Sequence, residues 1–253
     1  MISIELASIA AGTIVCGALA GLSLQKLLPM HHLSDQSQET VKLSAGIIAT
    51  MSALVLGLLV SSAKTSFDVA SSSVAQVGAK FIELNELLIE YGPEAKPLRG
   101  QVKTLLAQRI DTIWQGRSNA LSVLLTLERS SGSNALSESL REFTPKTEEQ
   151  KAILSQLRQI NAELRNDRLL LIEEQQAGLP PILLWILVFW LTLLFVSFGL
   201  FAPRNVTVIA ALMVCALSVS SALFLVLEMS HPLEGVIQVS SAPMRKALEL
   251  LGT

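Results

Sequence analysis

The chain has 253 residues, 51% of them hydrophobic and 16% charged, and a formal net charge of −2. That balance offers no basic surplus for a phosphate backbone and no acidic surplus for a basic partner, which sets nucleic-acid recognition aside. The charges are also segregated: 14 of the 19 basic and 15 of the 21 acidic residues fall between Lys64 and Gly178, so that interval is read as water-exposed.

In chain order, the first apolar stretch runs from about Ile4 to Leu24. Glu5 is its only charge, so it lacks the basic leader of a signal peptide and reads as a helix that is retained. Gly17-Ala-Leu-Ala-Gly21 within it matches the small-residue spacing of close helix contact. His31, His32 and Asp35 come next, in a polar segment read as a solvated loop rather than a metal site, since three or four converging ligands are required.

The second stretch runs from about Leu43 to Ala63. No break separates it from the charged region after it: Lys64 to Glu90 has no proline and only Gly78 as glycine, so one helix is expected to continue to a stop at Tyr91-Gly92-Pro93. Along this helix Gly46, Thr50, Ala53, Gly57, Ser61, Lys64 and Asp68 recur three or four residues apart, a small and polar stripe that becomes charged at one end. Two readings compete, helix packing through small residues and the wall of a water-filled pathway. Lys64 at the end of the stripe is an anion-concentrating group in the second reading and a snorkelling lysine in the first.

The middle region is expected to be almost wholly helical, being rich in Leu, Glu, Lys, Arg and Gln. One helix is expected from about Glu94 to Trp114, with Val102, Leu105, Leu106, Ile110 and Ile113 on its apolar side. Another covers about Asn119 to Arg129, and Ser130 to Asn134 read as a loop. A long helix should open with Thr144 as N-cap and Pro145 at the first helical position, place Ile153, Leu157, Ile160, Leu164 and Leu171 on a packed face, and end near Gly178 and Pro180-Pro181.

Two further apolar stretches span Ile182 to Ala202 and Val206 to Leu227. Each of the four has the roughly 20 residues needed to cross about 30 Å of hydrocarbon as a helix. Trp185 is placed as an interfacial anchor and Trp190 between helices. Cys16 and Cys215 read as small packing residues, and Glu228, at the boundary of the last stretch, as an interfacial group rather than part of an ion path. The tail from Ser230 is broken by Pro232, Gly235 and Pro243, and Met244, Ala247, Leu248 and Leu251 share one face of a short amphipathic helix expected to pack on the protein.

The fold expected is an all-α membrane protein: four transmembrane helices with a helical soluble domain inserted between the second and third. The boundaries are 1–63 for the first two spans, 64–178 for the soluble domain, 179–229 for the last two spans and 230–253 for the tail. No Gly-x-Ser-x-Gly elbow, phosphate-binding loop or dinucleotide pattern occurs, so no catalytic set, metal site or cofactor is expected and an enzyme is the third choice.

Three segments carry a resemblance: Leu28-Pro29-Met30-His31-His32-Leu33-Ser34-Asp35 leading into Val41-Lys42-Leu43; Ala53-Leu54-Val55-Leu56-Gly57-Leu58-Leu59 with Ala63-Lys64-Thr65-Ser66-Phe67-Asp68; and Pro232-Leu233-Glu234-Gly235 through Val239-Ser240 to Pro243-Met244-Arg245-Lys246-Ala247-Leu248. Together they resemble the bestrophin-like family of bacterial four-span membrane proteins, distant relatives of the pentameric bestrophin ion channels. The resemblance implies a homo-oligomer, a pentamer, in a bacterial inner membrane, conducting inorganic ions along the second span, with the helical domain in the cytoplasm. Near the span ends, Lys64, Arg245 and Lys246 on one side nearly balance Lys26, Lys42 and Arg204 on the other, so that orientation rests on the resemblance.

Under it, Gly46, Thr50, Ala53, Gly57, Ser61, Lys64 and Asp68 line the pore, and Leu54, Val55 and Leu58 are constriction candidates that gate by dewetting. The chain departs from animal bestrophins in having Phe67 as its only aromatic between Leu43 and Phe81, and in lacking a calcium-binding acidic cluster, so anion selectivity and calcium gating are not carried over. The rival reading is a non-conducting scaffold or stator-like assembly whose helical domain docks a partner. No ionisable residue lies deep in a span, as a proton-driven machine requires.

Overall fold

The computed structural model describes residues 2–27, 35–114, 132–176, 180–203, 205–233 and 235–252, and among them every regular element is helical. In chain order these are α1 (Ile2–Leu27), α2 (Asp35–Tyr91), a 3₁₀ turn at Pro93–Ala95, α3 (Lys96–Trp114), α4 (Gly132–Glu142), α5 (Glu148–Gln176), α6 (Pro181–Phe201), α7 (Val206–Met229) and α8 (Ala242–Leu250). Four of them, α1, α2, α6 and α7, are long and apolar enough to cross a membrane. The chain divides into two compact units, Met1–Thr65 with Leu179–Ser230, and Ser66–Gly178 with His231–Thr253.

The 57 residues of α2 form one helix, as the lack of a breaker predicts. It stops where expected because Gly92 takes φ 115, a region closed to side chains with a Cβ. Pro93, with no amide hydrogen to donate, begins the next turn.

In the first unit the core is made by Ala10, Ile14 and Ala18 of α1, Leu59 and Ala63 of α2, Leu187, Leu191 and Phe195 of α6, and Leu223 and Val226 of α7. Small residues let α1 approach α6. A Cβ on Gly17 would meet Thr192 Cγ2 at 3.0 Å, one on Gly21 would run into the carbonyl oxygen of Val196, and one on Gly199 into that of Ala18. The Gly-x-x-x-Gly reading is thereby explained, with Gly199 as the reciprocal notch on α6. The outward faces remain apolar: Leu54 is 71% and Val206 85% exposed.

Cys16 and Cys215 are exposed rather than packed within the chain, because they sit on the outward sides of α1 and α7. Glu228, expected at an interface, is instead buried, 1% exposed, in the last turn of α7. Trp185 is exposed and Trp190 half-buried.

The second unit is a helical bundle whose core lines up at three- and four-residue spacing: Phe81, Leu84 and Leu88 of α2, Leu98, Val102, Leu106 and Ile110 of α3, Leu136 and Leu140 of α4, Leu157, Ile160 and Leu164 of α5, and Met244 and Ala247 of α8. The tail helix therefore packs on protein, as its amphipathic pattern predicts. Tyr91 and Phe143 meet edge to face at 5.1 Å.

Asp35, read as part of a loop, is instead the first residue of α2, and three boundaries in the second unit also differ from expectation. The loop read at Ser130 to Asn134 is helical from Gly132 onward; burying Leu136 and Leu140, one turn apart, outweighs the turn-forming composition of the first turn. The helix expected from Glu94 begins two residues later, after the 3₁₀ turn.

The helix expected at Thr144-Pro145 opens at Glu148. Thr147 Oγ1 accepts from the Gln150 amide at 3.1 Å, and Gln150 Oε1 accepts from the Lys146 amide at 2.9 Å. This reciprocal pair satisfies two backbone donors, which a lone Thr144 cap does not. The helix expected at Asn119 to Arg129, the His31-His32 loop, Arg204, and the side chains of Lys26, Asp35 and Leu171 lie outside the described residues.

Candidate functional site

Around the axis of α2, with about 100° per residue, the first unit divides the helix surface into three faces. Ala45, Ser52, Leu59 and Ala63 are buried, and Ile48, Ala49, Val55 and Leu56 pack half-buried beside them. The stripe of Gly46, Thr50, Ala53, Gly57, Ser61, Lys64 and Asp68 lies about 140° away, and all seven residues are exposed. Between them Leu43, Ile47, Met51, Leu54 and Leu58 form an exposed face of large apolar side chains.

The glycines separate the two sequence readings of the stripe within one chain. A Cβ on Gly46 or Gly57 meets nothing within 4 Å, whereas one on Gly17, Gly21 or Gly199 meets a neighbouring helix. The stripe is therefore not the contact by which α2 packs inside its own chain. Its surface is polar in part: Thr50 Oγ1 donates to the Ile47 carbonyl at 2.8 Å, which leaves the hydroxyl oxygen's acceptor capacity outward. Of the three constriction candidates, Leu54 and Leu58 are exposed next to the stripe, while Val55 is turned into the core.

Ser52 is the polar exception on the buried face. It is 3% exposed, and its Oγ has no hydrogen-bond partner among the described residues. The sequence places it one residue from the apolar Met51, where nothing distinguishes it from the exposed serines.

In the second unit the polar groups fasten helices. Lys80 Nζ pairs with Asp167 at 2.8 Å and Glu163 at 3.2 Å, and the Glu163 carboxyl is held below its ordinary range by hydrogen bonds from Gln159 and then from Lys80. Arg99 Nε donates to Asn85 Oδ1 at 2.7 Å, and Asn85 Nδ2 donates to the Leu250 carbonyl at 3.2 Å, at the C-terminal end of α8. Trp114 Nε1 donates to the Val239 carbonyl at 2.7 Å.

A groove of about 350 Å³ beside Tyr91, Gln101, Ser139 and Phe143 is closed at one side by the Lys146–Glu94 pair at 2.7 Å. Two of its side chains engage each other, Ser139 Oγ donating to Gln101 Oε1 at 3.0 Å, and Glu94 Oε2 accepts from Gln150 Nε2 at 3.3 Å. Among the described residues no three His, Cys, Asp or Glu side chains converge to hold a metal ion.

A signal for the missed notch was present, since Gly199 is the one glycine in the apolar stretch from Ile182 to Ala202. The burial of Ser52 had no local signal.

The chain matches the family model described as the Bestrophin-like domain over residues 12–244. No curated protein and no solved structure matches it.

Proposed function

From the membership of this chain in the bestrophin-like family, we propose that it is a multi-pass membrane protein whose copies, five by the family resemblance, surround the exposed stripe of α2 and conduct inorganic ions along it. The four long apolar helices are its spans, in a bacterial inner membrane, and the second unit is its inserted, cytoplasmic domain.

One observation carries this reading. The stripe from Gly46 to Asp68 is exposed from end to end, and its two glycines have open space where a Cβ would stand. A small, partly polar face left uncovered beside an exposed apolar face is suited to water in an assembly. The large apolar face at Leu43, Ile47, Met51, Leu54 and Leu58 turns to neighbouring copies or lipid, with Leu54 and Leu58 reaching the edge of the pathway as its constriction. Gly46, Thr50, Ala53, Gly57 and Ser61 form the wetted wall, and Lys64 and Asp68 its charged end.

Planar-bilayer recording on the purified protein under a salt gradient tests the reading. Single-channel steps that disappear in Gly57→Trp support it, and the reversal potential then gives the sign of the permeant ion. Silence of the wild type across voltage, pH, calcium and tension would sink it in favour of the scaffold.

A further inference from the structure

Within the first unit, α2, α6 and α7 leave a cleft of about 410 Å³, inside the roughly 300–1,000 Å³ range of small-molecule sites. Val41, Ala45 and Ala49 of α2, Phe198 and Phe201 of α6, and Leu212 of α7 give it an apolar wall, and Lys42 stands on the same lining. Val208, in the first turn of α7, also lines it. There Asn205 caps the helix, its Oδ1 accepting from the Val208 amide at 2.9 Å.

The first amides of α7, at Val206 and Thr207, are at the helix end that carries the positive pole and has no intrahelical acceptors. The cleft thus joins an apolar cavity to a lysine and a positive helix end. Aqueous anions match only one half of that combination and hydrocarbons only the other.

We propose that this cleft binds an anionic phospholipid, with one acyl chain along the wall and the phosphate at Lys42 and the α7 N-terminus. A lipid serves both halves at once, whereas an apolar helix from a second copy would bury the lysine's charge in hydrocarbon. The inference rests on the membrane placement proposed above and not on conduction.

The test uses the full chain reconstituted in vesicles of equimolar phosphatidylcholine and phosphatidylglycerol. Flotation with the vesicles is scored first, and failure to float overturns the membrane placement itself. The floating protein is then extracted in mild detergent, and its retained lipid is identified by mass spectrometry beside its oligomeric state.

The expected result is retained phosphatidylglycerol in preference to phosphatidylcholine. In Lys42→Gln that preference falls about fivefold, the factor one lysine contributes at an anionic surface, while Ala49→Phe, which fills the cleft, loses the bound lipid. Wild-type protein that floats but retains both lipids equally overturns the inference alone. So does Lys42→Gln with an unchanged ratio, or Ala49→Phe that keeps its lipid but changes oligomeric state, the last assigning the cleft to a second copy.

Discussion

Gly78 of α2 lies directly against Pro243 at the start of α8: a Cβ on the glycine would stand 3.0 Å from the proline carbonyl carbon and oxygen and 3.1 Å from its Cβ. The only glycine in the long run from Lys64 to Glu90 is thus the notch that admits the tail helix. Gly78→Leu is expected to destabilise the second unit by about 1–3 kcal/mol, the usual cost of overpacking. Hydrogen exchange at Met244 to Leu250 is the readout, and unchanged protection there would refute the notch.

Gly21 and Gly57 should respond in opposite ways to the same change. Gly21→Leu drives a side chain into the backbone of α6 and is expected to lower the melting temperature in detergent or prevent folding. Gly57→Leu enters open space and replaces a poor helix former by a good one, a gain of up to about 1 kcal/mol in an isolated helix. Its monomer fold should survive while any conductance changes. Equal loss of folded protein in both variants would contradict the assignment of the two faces.

Arg99 and Asn85 act as one unit on the Leu250 carbonyl, so their effects should be non-additive. Arg99→Met leaves the buried Asn85 oxygen without its 2.7 Å donor, an expected loss of about 1–3 kcal/mol. A double-mutant cycle with Asn85→Ala should return a coupling of about 0.5–3 kcal/mol. Simple additivity of the two thermal shifts would show that the residues work separately.

The Lys146–Glu94 pair gives the second unit a pH signature. Its hydrogen bond holds the Glu94 carboxyl below its ordinary value and raises Lys146 above its own. Stability from Glu94 is present above its unfolded pKa of about 4.3 and is lost as pH falls through the lower folded value. Stability from Lys146 is present below about 10.4 and is lost as pH rises through the higher one. Both side chains are largely exposed, so the effects are small. Glu94→Gln should flatten the acid limb of the melting-temperature profile; a profile parallel to wild type in acid would count against the pair.

Ser52→Ala removes a buried hydroxyl that has no hydrogen-bond partner among the described residues. Removing an unsatisfied polar group is neutral or stabilising, by up to about 1–3 kcal/mol. A lower melting temperature in detergent would instead mean that the hydroxyl is engaged in the native protein.

Helix ends were legible where one signal dominated. Gly92 and Pro93 stop α2 by backbone geometry alone, and Ala53 to Gly57 lie in an unbroken apolar run. At Thr144 to Gln150 two cap signals competed, and the winner was the one whose side chains reciprocate. At Gly132 local composition pointed to a turn, but Leu136 and Leu140 bury against α3 and α5, an outcome that depends on residues distant in sequence. The stripe on α2 was visible as a spacing, though spacing alone does not say what faces it.

Length, apolar composition and the positions of proline and glycine were enough to specify four long apolar helices, one continuous α2 and a helical middle, because these arise from interactions within a few residues of chain. The tertiary structure decided which small residues are notches and which are open. Gly17, Gly21, Gly78 and Gly199 meet another segment where a Cβ would stand, and Gly46 and Gly57 meet nothing. The same residue type serves both roles because the cost of its missing Cβ depends on what the fold brings opposite it.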